Sequence, residues 1–175
     1  PRAGRTAFSD WNPWSIRVPN VPERSAGLSL SESVIDGWAD GEGMVGYLEW
    51  TMVVQNHSSW NREAVSTIQL PKGATVSRLT LWVNGEEREA AFSAKAKVTE
   101  AYQRVVRRKR DPVLITTEGL DRIQVRCFPV MRSGNMRFRI GISMPLELES
   151  STEAILPLPF FVDRNFDIPS RTRHH

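Results

Sequence analysis

Alternation of apolar and polar residues with a period of two is the feature that most constrains the fold of this 175-residue chain. Successive side chains of a β-strand point to opposite faces, so this period marks strands with one buried face. One such stretch is apolar at every second position: Leu48, Trp50, Met52 and Val54. About eight or nine stretches of this kind predict a mainly β fold, an antiparallel β-sandwich or barrel.

Turn residues separate these strands. The first strand places Leu28, Leu30 and Val34 on one face. Asn84-Gly85 joins two alternating runs, and both residues readily adopt the positive φ of a two-residue type I′ turn, which predicts a hairpin. Strands at about 122–129 and 135–144 are joined by the loop MRSGN. A closing pair of strands is expected in the stretches LELES and EAILPLPF.

The period becomes helical in one segment, at about residues 94–108. Its apolar residues lie at i, i+3, i+4 and i+7 and form a stripe that would dock the helix on the sheets: Val98, Ala101, Tyr102 and Val105. Asp111 precedes Pro112 and is therefore disfavoured in helical geometry. The sequence thus predicts one amphipathic helix that ends near residue 108, with the ring of Tyr102 buried.

Positive charge is concentrated at the end of this predicted helix. The chain has a formal net charge of +3, and a single cluster carries more than that: Arg104, Arg107, Arg108, Lys109 and Arg110. Cations in the last turn of a helix complement its dipole by about 0.3–1 kcal/mol each. The cluster therefore has a structural reason to exist before any ligand is invoked.

The sequence offers no constellation of catalytic residues. Cys127 is the single cysteine and lies on the apolar face of its strand, which indicates a buried thiol. His57, the only histidine before the C-terminus, falls in the predicted loop QNHSSW. No hydrolase elbow, phosphate-binding loop or dinucleotide fingerprint is present. We therefore predict no catalytic, cofactor-binding or metal-ligating residues, no cofactor and no enzymatic activity.

The chain divides into three segments. Residues 1–26 contain four prolines and three aromatic residues and predict an irregular arm that packs partly on the domain. Residues 27–162 form the predicted β domain, and 163–175 a C-terminal tail whose final two histidines resemble the start of a purification tag. We expect an excised piece of a longer protein. No apolar run approaches the roughly 18 residues that a membrane span needs.

The order of these elements resembles the VIT (vault protein inter-alpha-trypsin) domain over about residues 28–160. In that family a strand ending in Leu-Pro leads to a hairpin and to a helix written roughly Lys-x-x-Ala-x-x-x-Tyr-x-x-Ala. Here Lys95, Val98, Tyr102 and Val105 take those helix positions. Two valines thus replace small residues, and RRKRDP replaces the usual glycine-rich stretch after the helix. The resemblance implies an all-β module with one docked helix.

The resemblance also implies a non-catalytic interaction or scaffolding module, usually placed before a von Willebrand factor A-type domain. Its partner would be a neighbouring domain of the same chain or another protein, with no specific nucleic acid, and the module would be a monomer or weak oligomer. Similar relatives suggest a bacterial, membrane-anchored or secreted parent. We expect an extracytoplasmic location, with an intracellular one left open.

The alternative function is a polyanion-binding module for acidic glycans, anionic lipids or nucleic acid. The strands at 122–129 and 135–144 are expected to pair as a hairpin, so that their arginines share the face away from the core: Arg122, Arg126, Arg137 and Arg139. With the helix-end cluster they would form a basic surface. The favoured interaction module would instead present loops or a sheet edge to its partner. An exposed indole at Trp38, Trp60 or Trp82 would indicate a protein-binding spot.

Overall fold

The computed structural model describes residues 21–90 and 113–170, together with the backbone of 173–174. The predicted helix at about 94–108, its apolar stripe and the basic cluster at 104–110 lie outside the described residues. In chain order the strands are β1 (Leu28–Asp40), β2 (Val45–Asn56), β3 (Arg62–Gln69), β4 (Thr75–Val83), β5 (Glu86–Glu89), β6 (Val113–Thr117), β7 (Arg122–Val130), β8 (Asn135–Pro145), β9 (Glu147–Leu148), β10 (Ala154–Ile155), β11 (Phe160–Arg164) and β12 (Arg173–His174).

Two sheets form the fold. The larger has the order β12-β1-β2-β8-β4-β5 and the smaller β11-β3-β7-β6, while β9 and β10 form a separate ribbon. Every pairing is antiparallel except that of β12 with β1. Apolar residues from both sheets belong to one buried cluster. The predicted mainly antiparallel, sandwich-like fold is therefore confirmed, with more strands than expected, because β9, β10 and β12 add short pairings of two residues each.

The alternation in the central strands sorts their side chains as predicted. Trp50 of β2 and Phe138 of β8 are buried in the cluster between the sheets. The indole nitrogen of Trp50 donates a hydrogen bond to Ser33 Oγ at 2.9 Å, so the polar atom of this buried ring has a partner. The Asn84-Gly85 turn is also confirmed, because both residues have positive φ angles, 55° and 85°.

A β-bulge changes the face assignment in β1. Pairing with β2 shifts register between Leu30 and Glu32, which inserts one residue into β1. Because an inserted residue moves every later side chain to the other face, Ser33 takes the buried side and Val34 does not. The prediction that Val34 shares a face with Leu28 was wrong for this reason.

The predicted hairpin of β7 with β8 is also wrong. Strand β7 pairs with β3 and β6 in the smaller sheet, and β8 pairs with β2 and β4 in the larger one. The loop at 131–134 carries the chain from one sheet to the other. Alternation shows that a strand has one buried face, but it does not show which strand is its neighbour. It therefore did not distinguish a β7–β8 hairpin in one sheet from β7 and β8 in two sheets that face each other across the core.

Residues 156–167, which follow β10, close the sandwich and are termed the closing segment. Strand β11 adds to the edge of β3, and the following residues Asn165 and Phe166 are buried. Asp167 then exchanges backbone hydrogen bonds with β1, donating to Leu28 O at 3.0 Å and accepting from Leu30 N at 2.8 Å. The segment thus bridges both sheets, and the fold continues past the boundary predicted at residue 162.

Candidate functional site

Two neighbouring loops at one end of the sandwich form an exposed apolar surface. Residues 57–61 connect β2 to β3 and residues 131–134 connect β7 to β8; together with Arg62 they are termed the loop tip. At this end of the sandwich, Trp60 is 72% exposed and Met131 is 54% exposed. Single exposed apolar residues are normal on a protein surface, whereas two on adjoining loops suggest a contact site.

Hydrogen bonds hold the two loops against each other. The backbone nitrogen of Ser133 donates to Ser58 O at 3.2 Å. The backbone nitrogen of Arg132 donates to Asn61 Oδ1 at 3.0 Å. These bonds join the chain on both sides of Trp60 to the residues that follow Met131, so the two exposed apolar residues lie on loops that are bonded to each other.

Asn56, at the end of β2, organises the loop tip. Its side chain is fully buried, and Nδ2 donates to the carbonyl oxygens of Trp60 at 2.8 Å and Val130 at 2.9 Å. Its Oδ1 accepts from Ser58 N at 2.9 Å and from Ser58 Oγ at 2.7 Å. Both donors and both lone pairs of the amide are therefore used. The triplet NHS at 56–58 has the form of a glycosylation site, but this amide is buried and fully engaged.

The loop tip is basic as well as apolar. Residues 57–62 and 131–134 contain no aspartate or glutamate. Arg132 is exposed, and Arg62 is half-buried with its Nε 3.3 Å from Ser58 Oγ. Neither arginine has an ion-pair partner among the residues that the structure describes. The tip thus presents apolar surface beside uncompensated positive charge.

Two reactive residues considered from the sequence lie apart from each other. His57 is exposed in the loop tip, with Nε2 3.2 Å from Ser29 Oγ. Cys127 is buried in the core, and this burial raises the pKa of its thiol well above its usual value. The interpretation of Cys127 as a core thiol is confirmed. Within residues 21–90 and 113–170, no group of three or more His, Cys, Asp or Glu side chains could hold a metal ion.

The four strand arginines do not form one surface. Because β7 and β8 belong to different sheets, their outward-facing arginines lie on opposite sides of the sandwich. On the smaller sheet, Arg126 lies 3.3 Å from a carboxylate oxygen of Glu63 and donates through Nε to Gln124 at 2.8 Å. Arg122 Nε donates to Gln69 Oε1 at 2.9 Å. These contacts fix both guanidinium groups against their own sheet.

The outer face of the larger sheet carries a compensated charge network. Arg139 lies 3.0 Å from Glu49 and 3.0 Å from Glu87. The guanidinium of Arg137 lies 4.7 Å from the ring centroid of Trp82, a cation–π distance. Trp82 is therefore half-buried beneath arginine rather than freely exposed. A large part of this positive charge is neutralised within the protein.

A shallow depression of about 440 Å³ lies next to this network. Tyr47 and Arg78 contribute to its wall, and Arg78 forms a 2.7 Å ion pair with Glu89, another wall residue. The hydroxyl of Tyr47 donates to Glu49 at 3.0 Å, and burial is the main cause that raises the pKa of this phenol. These polar groups are partnered with one another, so the depression has little unused binding capacity.

Comparison with protein families identifies the domain. The family model of the vault protein inter-alpha-trypsin (VIT) domain matches residues 42–142, more than half of the chain. This chain belongs to the VIT domain family. The matched span of the VIT domain contains both loops of the tip. All of β1 and the whole closing segment lie outside the match, although both are built into the sheets.

Other comparisons add little about function. The collagen-binding domain from a Staphylococcus aureus adhesin is 16% identical to this VIT domain, and the alignment covers 74% of this chain and 93% of that chain with a TM-score of 0.34. A similarity of this degree supports no inference about binding. No curated protein matches the chain. Within the described ranges, no helix has the length and apolarity that a membrane crossing requires.

The sequence pointed to only part of the loop tip. It marked Trp60 as a candidate exposed indole, together with Trp38 and Trp82. It did not identify Met131 or the role of Asn56. The available signal was the polar run NHSS between an apolar strand and a tryptophan, because such a run often caps or braces a loop.

Proposed function

We propose that this VIT domain is a non-catalytic protein-interaction module and that the loop tip is its contact surface. The observation that carries the proposal is Trp60, a largely exposed indole on a loop that a buried asparagine holds in place. The partner is a neighbouring domain of the same chain or a separate protein. In this proposal the parent protein is extracytoplasmic.

The composition of the tip suits a protein partner. Tryptophan, methionine and arginine are enriched in the centres of protein interfaces, where aspartate and glutamate are depleted. An anchoring tryptophan commonly contributes about 2 kcal/mol or more when it is removed from an interface. Because the bonds of Asn56 already order the Trp60 backbone, binding loses less conformational entropy than it would with an unconstrained loop.

The polyanion alternative is less well supported. Its strand arginines lie on opposite faces, and two of them are paired with carboxylates. The basic cluster at 104–110 lies outside the described residues, so its contribution stays a prediction. Elution from heparin distinguishes the polyanion-binding function from the protein-interaction function. A polyanion-binding module stays bound well above physiological salt, whereas a protein with only scattered surface charge elutes at low salt.

The test compares proteins captured by the wild type with those captured by Trp60→Ser. Leu120→Ser is the matched control, since Leu120 is 90% exposed in another loop. A protein lost only with Trp60→Ser would then be purified and titrated calorimetrically. We expect about a 30-fold weaker Kd for Trp60→Ser, as for loss of an interface hot spot, and an unchanged Kd for the control. Equal binding by all three proteins would contradict the role of the tip.

A further inference from the structure

The outer edge of β1 has room for another strand. β1 is 13 residues long, against about 5–6 for a typical strand, and it pairs with β2 on one side. On its other side, Asp167 bonds to Leu28 and Leu30, and β12 pairs with Glu32 and Ser33. No described residue pairs with this edge from Val34 to Asp40.

The free part of the edge presents backbone groups that can form hydrogen bonds. Residues of a strand whose side chains share a face also direct their N–H and C=O groups to the same edge. Leu28 and Leu30, with core-facing side chains, bond outward to Asp167. After the bulge the equivalent positions are Ile35, Gly37 and Ala39, whose amides and carbonyls therefore point to the open side. Such an edge is a template for strand addition.

The charge beside this edge is entirely negative. Residues 34–43 contain three acidic residues and no basic one. Asp36 is exposed and has no ion-pair partner among the described residues. Trp38, on the same face as Asp36, is 55% exposed and packs beside Tyr47 with ring centroids 6.3 Å apart. A guest strand here would meet carboxylates and an aromatic ring.

The opposite edge of the same sheet is acidic in a different way. Strand β5 reads EERE, and each of its glutamates pairs with an arginine. The pairs are Glu86 with Arg88, Glu87 with Arg139 and Glu89 with Arg78. The acids of β5 are thus compensated within the fold, whereas Asp36 is not. Of the two edges of the larger sheet, only the β1 edge combines unused backbone groups with unpaired negative charge among the described residues.

We propose that the free edge of β1, from Val34 to Asp40, binds an extended basic segment of a partner protein by strand addition. The guest continues the line of β12, whose Arg173 is already in register with Glu32 of β1. Lysine or arginine at alternate positions of the guest lies beside Asp36 and Trp38, and the intervening apolar residues lie beside Ile35 and Gly37. This surface is distinct from the loop tip.

A labelled peptide tests this proposal. The probe is a fluorescein-labelled peptide in which lysine and valine alternate, titrated against the 175-residue chain by anisotropy. A peptide of the same composition with its lysines grouped together is the control for charge alone. We expect the alternating peptide to bind about tenfold more tightly, because only it can present lysine on one face. In amide exchange, its binding should protect Ile35, Gly37 and Ala39.

Two variants locate the binding. Asp36→Lys should weaken binding of the alternating peptide by about tenfold through charge reversal. Ala39→Pro should also weaken it, because proline removes an outward N–H while sparing the pairing with β2. Glu86→Lys, on the opposite edge, should leave Kd within about twofold. Unchanged binding by Asp36→Lys, equal binding of both peptides, or protection at β5 instead of β1 would overturn the proposal. None of these results depends on Trp60, so the two surfaces are tested separately.

Discussion

Two buried asparagines hold two segments of this VIT domain in different ways. Asn56 fixes the loop tip with four side-chain hydrogen bonds. Asn165 fixes the closing segment with two, accepting from Val65 N at 2.8 Å and donating to Glu63 O at 2.9 Å. Each bonds to a buried backbone group, the carbonyl of Val130 for Asn56 and the amide of Val65 for Asn165.

The neighbours of the two asparagines make the difference. Beside Asn165, the ring of Phe166 packs edge-on against Phe161 at 5.6 Å, and Phe161 packs against Trp50 at 4.8 Å. Beside Asn56, the apolar residues Trp60 and Met131 are exposed. The closing segment therefore uses Phe161 and Phe166 for stability. The tip is ordered by polar bonds alone, which leaves its apolar residues available to a partner.

The largest expected effect belongs to the aromatic anchor of the closing segment. Phe166→Ala should lower the free energy of unfolding by about 3–5 kcal/mol, because it removes a buried ring and leaves a cavity. Urea denaturation followed by tryptophan fluorescence measures this change. A loss below about 1 kcal/mol would show that the segment is not held by its apolar contacts.

A smaller loss is expected when the polar brace of the tip is removed. Asn56→Ala removes four side-chain hydrogen bonds, leaves the buried carbonyl of Val130 without the bond from Asn56, and should cost about 2–4 kcal/mol. Asn61→Ala is the control, since exposed Asn61 contributes one bond, to Arg132 N. It should cost less than about 1 kcal/mol. Equal losses in the two variants would contradict the special role of Asn56.

The reactivity of the Cys127 thiol reports how often the sandwich opens, and it can be measured in both Phe166→Ala and Asn56→Ala. The buried thiol should react with a thiol reagent only when the sandwich opens, so native labelling should be slow and labelling in denaturant fast. A destabilisation of about 2 kcal/mol should speed native labelling about 30-fold when opening is fast and reversible. Rapid labelling of the native wild type would contradict the core position of the thiol.

Local patterns in the sequence predicted the parts of the fold that depend on local geometry. Trp50 and Phe138 were assigned correctly because alternation alone determines which face of a strand is apolar. The Asn84-Gly85 turn was correct because its φ angles follow from the two residues themselves. Cys127 was placed in the core by the same alternation.

Errors arose where a distant contact decides the outcome. The bulge after Leu30 reverses the faces of β1, and nothing in the local period announces it. Pairing of β7 with β3 rather than β8 depends on the arrangement of both sheets. Asn165 and Phe166 show no strand period, so the sequence placed them in a tail although both are buried. Met131 joins Trp60 at the tip only through bonds between two separate loops.

The smallest expected effect on stability is the most informative about the tip. Trp60→Ser removes a side chain that is 72% exposed, while the bonds of Asn56 reach only the backbone carbonyl of residue 60 and would persist. Its free energy of unfolding should therefore stay within about 0.5 kcal/mol of the wild type. Trp50→Ser is the matched control, because the same substitution in the core should cost about 3–5 kcal/mol. If Trp60→Ser destabilised the domain as much as Trp50→Ser, the Trp60 indole would be a structural residue, and this result would contradict the proposal that the tip is a binding surface. If stability is kept while a partner is lost, the indole serves binding rather than folding.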